Sequence, residues 1–155
     1  MTMLKLASGI IAILGFLSAA HAADISGNAF INDDGSLRVD GRTIYLYGIH
    51  IPATDQNCRT NERPVRCGSR AKLALEFKIA DFVHCDPTER RPDGTFTGLC
   101  RSGGIDLSAY LLERGWAMAL PDAPFDYVAL ERIASRRGVG VWGFPVEPGR
   151  PRPHR

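Results

Sequence analysis

The chain has 155 residues, 45 % of them hydrophobic, and a formal charge of +2 at neutral pH. That length suits one domain with an ordinary core, which leaves little room for a second. A charge this small excludes any argument for a nucleic-acid partner from net electrostatics alone.

Taken in order, Lys5 precedes an apolar run from Leu6 to Leu17, and Ala20-His21-Ala22 follows it. A positive start, an apolar centre and an A-x-A site predict a signal peptide over residues 1–22, cut before Ala23. The run is shorter than the roughly 20 residues a membrane-spanning helix needs, and no second one follows. The expected product is periplasmic or secreted, with no membrane association after cleavage.

Ile25–Ile31 and Leu37–Val39 read as strands, joined at Asp33-Asp34-Gly35-Ser36 by a turn with an Asp-Gly hairpin signal. Asp40-Gly41 marks a second tight turn into VDGRTIYLYGIHIPA, the stretch from Val39 to Ala53. There Ile44, Leu46 and Gly48 alternate with Tyr45, Tyr47 and Ile49, as in a half-buried strand. Gly48 weakens such a strand and Pro52 cannot donate to a ladder, so it bends or ends between them and holds His50 and Ala53 there. From Thr54 to Gly68 the chain reads as loop, and Ser69 is placed to cap a helix through Ala71, Ala74, Leu75 and Ile79.

Phe82–Cys85 and Phe96–Arg101 read as strands separated by the charged turn DPTERRPDG. Gly103-Gly104 reads as a strand-to-helix turn, and Asp106 caps DLSAYLLERG, which stops at Gly115. A third helix spans about Asp126 to Arg137, with Val128, Leu130, Ile133 and Ala134 as its apolar positions and Gly138 as its stop. Trp116 and Trp142 are expected to anchor the helices. Residues 145–155 alternate proline with basic residues and predict a disordered or polyproline-like tail, leaving residues 23–144 as the domain.

The four cysteines allow three connectivities in an oxidising compartment. Cys58–Cys67 and Cys85–Cys100 are favoured because each closes a short local loop. Zinc is the competing use, but the usual C-x₂₋₄-C knuckle is absent.

The stretch around Tyr45 resembles the strand of staphylococcal nuclease-like (thermonuclease) domains that reads roughly I-R-L-x-G-I-D-x-P-E. NDDGSLRVDG, CRTNERPVRCG, FVHC…GTFTGLC, GGIDLSAYLLERGWAMA and YVALERIASRRGVGVW extend the resemblance from Ile25 to Trp142, in the pattern of secreted bacterial members. It implies a mostly β, α+β fold: a five-stranded OB-fold barrel with about three packed α-helices. It also implies calcium-assisted phosphodiester hydrolysis, with carboxylates on the metal, a glutamate orienting water and two arginines on the phosphate.

Carried over position by position, those groups are replaced. Gly35 stands for an aspartate ligand, Tyr45 for the first arginine, His50 for the aspartate before the proline, and Ile51 for a threonine ligand. Ala53 stands for the glutamate and Thr95 for the second arginine. Ile51 and Ala53 supply neither charge nor a proton route. Removing one preorganised charge typically costs about 10²–10³ in rate, and here they go together. The expectation is a pseudoenzyme without cofactor, its calcium binding lost.

Other charges near that end of the barrel are Asp33, Asp34, Asp55, Glu62, Arg42, Arg59, Arg63, Arg90 and Arg91, most simply read as solvated loop groups. Candidate binding residues are Asp33, His50 and an aromatic set of Tyr45, Tyr47 and Phe96, because OB-folds bind single strands or sugars by stacking on such rings. His84 reads as a packing or surface residue. The expected reading is a monomeric binding protein for single-stranded nucleic acid or an anionic polysaccharide. The alternative is a metal-dependent nuclease with a relocated site.

Overall fold

The structure, a computed structural model, describes residues 24–52, 57–58, 65–79 and 82–143, with backbone alone at 57–58 and 65–67. The expected signal segment, Ala53, Asp55, Arg59, Glu62, Arg63, the expected Cys58–Cys67 pairing and the tail from residue 145 lie outside the described residues.

Strand β1 (Ile25–Ile31) pairs antiparallel with β2 (Leu37–Val39), which pairs with β3 (Arg42–Leu46). The Asp40-Gly41 turn takes left-handed backbone at both residues (φ 47° and 72°), the geometry that matches the twist of a two-residue hairpin. β4 (Ile49–His50), β5 (Asn57–Cys58) and β6 (Val65–Arg66) are short, and α1 (Cys67–Lys78) follows. β7 (Phe82–Arg90) and β8 (Phe96–Ser102) form the longest hairpin, then come β9 (Ile105–Asp106) and α2 (Leu107–Glu113). β10 (Met118–Ala119), α3 (Phe125–Arg137) and a 3₁₀ turn (Gly140–Trp142) complete the described chain.

The order β3-β2-β1-β7-β8 closes on itself through a parallel β3–β8 pairing. This is a five-stranded mixed barrel with three helices against it, an OB-like arrangement in which strand outweighs helix. Its interior holds Ile25, Leu37, Val39, Ile44, Val83 and Leu111, each almost wholly shielded from solvent. Burying side chains of this size contributes about 1.5–3 kcal/mol apiece, so the alternation read from sequence is what drives closure. Cys85 and Cys100 face each other across the β7–β8 ladder and are disulfide-bonded, with Cα atoms 4.0 Å apart. Both are buried in the core, and a bridge closing a loop of this size contributes about 3 kcal/mol in the chain-entropy view. No helix among the described residues is long and apolar enough to cross a membrane.

Several elements differ from the sequence reading. β7 runs on to Arg90, because DPTER continues the ladder through a bulge between Pro87 and Glu89 and only residues 91–95 turn. The stretch Thr54–Gly68 is not all loop: β5 and β6 pair, and α1 begins at Cys67, so Ser69 lies inside the helix. Gly103-Gly104 is the turn of a β8–β9 hairpin, both residues left-handed. On α3 the buried residues are Tyr127 and Ala134, with Leu130 packed beside them, while Ile133 is half exposed. Trp116 packs on the core as expected, while the buried indole N–H of Trp142 has no hydrogen-bond partner among the described residues.

Candidate functional site

The central strand ends where its composition says it must. The alternation holds through Leu46, and Gly48 then turns the chain with φ 72°. A Cβ at Gly48 would lie 2.9 Å from the Tyr127 ring, so this turn needs glycine on two counts. The reversal swings Ile49 inward to 8 % exposure, instead of leaving it on the face of Tyr45 and Tyr47. β4 then pairs with β10, Met118 opposite His50.

Between the β1–β2 turn, the end of β3, β4 and the tip of the β7–β8 hairpin lies an open hollow of about 410 Å³. Leu46, Ile49, Ile51 and Leu120 supply its apolar lining. Asp34, Ser36, Tyr45, His50, Arg91 and Thr97 supply its polar groups. Asp34 is the carboxylate among them, and both its oxygens are engaged. Oδ1 accepts from the Ser36 amide (3.0 Å) and hydroxyl (2.6 Å), and Oδ2 accepts from the Tyr45 hydroxyl (3.0 Å). Partial burial pushes the Asp34 carboxyl up, but the Ser36 and Tyr45 hydrogen bonds outweigh it and hold the group below its ordinary range. The same bond to Asp34, with burial, raises the Tyr45 phenol.

Arg91 lies with its guanidinium 4.2 Å from the centre of the Tyr45 ring, and its Nε donates to Thr97 Oγ1 at 3.3 Å. A stacked guanidinium keeps its in-plane N–H groups available for a ligand. The barrel seam makes this possible, since β3–β8 pairing sets Tyr45 beside Thr97, and the Arg91 amide donates to the Thr95 carbonyl (2.9 Å) across the hairpin tip. In the sequence Arg91 is one of several loop cations; the parallel seam is what brings it to Tyr45.

The remaining candidates are placed as follows. Gly35 is buried at φ 78°, and a Cβ there would meet Ile51 Cγ2 at 2.7 Å, so the two positions pack on each other. Asp33 points away from the hollow to an ion pair with Lys72 Nζ of α1, at 2.7 Å. Thr95 caps its own turn through Asp93, by amide (3.0 Å) and hydroxyl (2.7 Å). His50 lines the hollow and is exposed. Tyr47 and Phe96 are partly buried against the core and do not line it. Phe96 is in register with Ile44, not Tyr45, so the three aromatic rings do not form one platform. His84 is at the surface, beside Phe82 and within hydrogen-bond distance of Ser26 Oγ (2.9 Å). Among the described residues, no group of three or more His, Cys, Asp or Glu side chains converges as a metal would require.

No family model and no curated protein matches the chain.

Proposed function

We propose that this protein is an exported, non-catalytic relative of the staphylococcal nuclease-like domains, which binds an anionic ligand in the hollow beside Tyr45. The observation that carries the reading is the contact between Gly35 and Ile51. Where the resemblance puts two metal ligands, this chain packs a methyl group against a glycine that has no space for a side chain. Calcium takes six to eight oxygen ligands, and the carboxylate lining the hollow has both oxygens occupied by Ser36 and Tyr45. These residues do not fit calcium, and no hydrolytic step is assigned to it. Arg91 over Tyr45 instead offers a cation and a flat ring side by side, suited to a phosphate or carboxylate next to a base or sugar. Single-stranded nucleic acid and an acidic polysaccharide both present that pair of groups. The N-terminal segment and the Cys85–Cys100 disulfide support export.

A relocated nuclease site is the second reading, favoured by one observation: His50 and Arg91 line the same hollow. The two are separated by incubating the purified protein with plasmid and single-stranded DNA in calcium, magnesium, manganese and zinc. The expected outcome is no cleavage, together with binding of a labelled oligonucleotide or of alginate that Arg91→Ala weakens. Cleavage that His50→Ala abolishes would establish the second reading and end the first.

A further inference from the structure

We propose a second ligand surface on the outward face of β1, β2 and β7, shaped to stack the flat C–H faces of neutral pyranose sugars and to bond their hydroxyls. On β1, Ala29 and Ile31 pack on the core, so Asn28 and Phe30 face out. Ladder register sets Arg38 beside Phe30 and Phe82 beside Asn28. Phe30 is 72 % exposed and Phe82 51 %, two large aromatics on adjacent strands. As diagonal neighbours their Cα atoms are about 7–8 Å apart, within reach of one di- or trisaccharide. Beside Phe30, with Asn28, Arg38 and Asp40 in its walls, lies a groove of about 730 Å³.

The polar groups around these rings are of mixed kind. Arg38 only donates, Asp40 only accepts, and the Asn28 amide does both. None of the three side chains has a hydrogen-bond or ion-pair partner among the described residues. A sugar hydroxyl donates and accepts at once, so it uses such a set fully. A phosphodiester strand needs a positively charged groove, and here Arg38 and Asp40 cancel. A peptide that added a strand would bond along a backbone edge and would not use the outward face that carries Phe30 and Phe82. The surface is separate from the hollow at Tyr45, with which it shares no lining residue.

The test is affinity electrophoresis of the purified protein in native gels holding hydroxyethylcellulose, galactomannan or no polymer. It is paired with a poly(dT) mobility shift and sedimentation analysis. We expect retardation by at least one neutral polymer, reduced roughly tenfold or more in affinity by Phe30→Ala or Phe82→Ala. Phe30→Trp should keep it, and Arg38→Ala and Asp40→Ala should each weaken it. Because Phe30 is so exposed, Phe30→Ala should melt at the parent temperature, which separates lost binding from lost fold. The proposal is overturned by no retardation with either polymer, or by retardation that Phe30→Ala leaves unchanged. It is equally overturned if the Phe30-dependent event is poly(dT) binding or self-association.

Discussion

Gly35 is where backbone, packing and chemistry meet in one residue. Its left-handed φ of 78° and its contact with Ile51 both oppose a side chain. Gly35→Ala should therefore lower unfolding free energy by roughly 2–4 kcal/mol in urea titrations, combining backbone strain and overpacking. Adding Ile51→Ala should recover the packing part alone, seen as a favourable coupling in a double-mutant cycle. Costs that simply add would show that the two residues do not press on each other. Asp34 makes the pH prediction. Its folded-state pKa is depressed, so its contribution is complete above the ordinary carboxylate pKa and is lost as pH falls through the depressed value. Carboxyl carbon NMR should place the Asp34 midpoint below the ordinary carboxylate range, and Ser36→Ala or Tyr45→Phe should each move it upward. An unmoved midpoint would remove those hydrogen bonds from the account. The identities of Gly35 and Ile51 are legible in the sequence, since each is one letter. That Ile51 fills the space over Gly35 is not, because fifteen intervening positions give no sign of which side chains will touch.

Among the elements, α2 is held by the acid that precedes it. Asp106 Oδ1 accepts from the Ser108 and Ala109 amides at 2.8 and 3.1 Å, and Oδ2 accepts from the buried Tyr127 hydroxyl of α3 at 2.6 Å. One carboxylate thus caps one helix and docks another. Asp106→Ala should cost roughly 2–4 kcal/mol, the sum of a lost cap and an orphaned phenol. Asp106→Asn should cost clearly less, since an amide oxygen still caps. Equal losses in thermal unfolding of the two variants would mean that the charge, not the cap, matters. The cap was readable from Asp106 ahead of an apolar run, and so was the stop at Gly138, which is left-handed and returns its N–H to Ala134 and Ser135. The start of α1 was misread, because a serine within a polar stretch looks like a cap wherever the helix begins. The length of β7 was misread because Pro87 signals a turn, yet a bulge accommodates it.

The whole molecule depends on one seam. β3 and β8 run parallel, and the Tyr47 amide donates to the Gly98 carbonyl at 2.9 Å just past their last pair. At Gly98 a Cβ would lie 3.0 Å from the Asp86 carbonyl oxygen and 3.4 Å from Ile44. Gly98→Val should push the seam apart at a cost of about 2 kcal/mol or more. In hydrogen exchange the Tyr47 amide should then lose protection before the β7–β8 ladder does. Uniform loss across the barrel would show that closure is not a separable step. The existence of the five barrel strands, their inward faces, the Asp-Gly turns and a preference for the Cys85–Cys100 pairing follow from the sequence by itself, whereas the short strands β5, β6, β9 and β10 do not. Period, turn chemistry and short loop closure are local properties, and the chain states them wherever it is read. Barrel closure, the inward swing of Ile49, the engagement of both Asp34 oxygens and the approach of Arg91 to Tyr45 were decided only by the tertiary structure. Each depends on contacts between segments far apart in the chain, whose energies no local pattern records until the seam between β3 and β8 has formed.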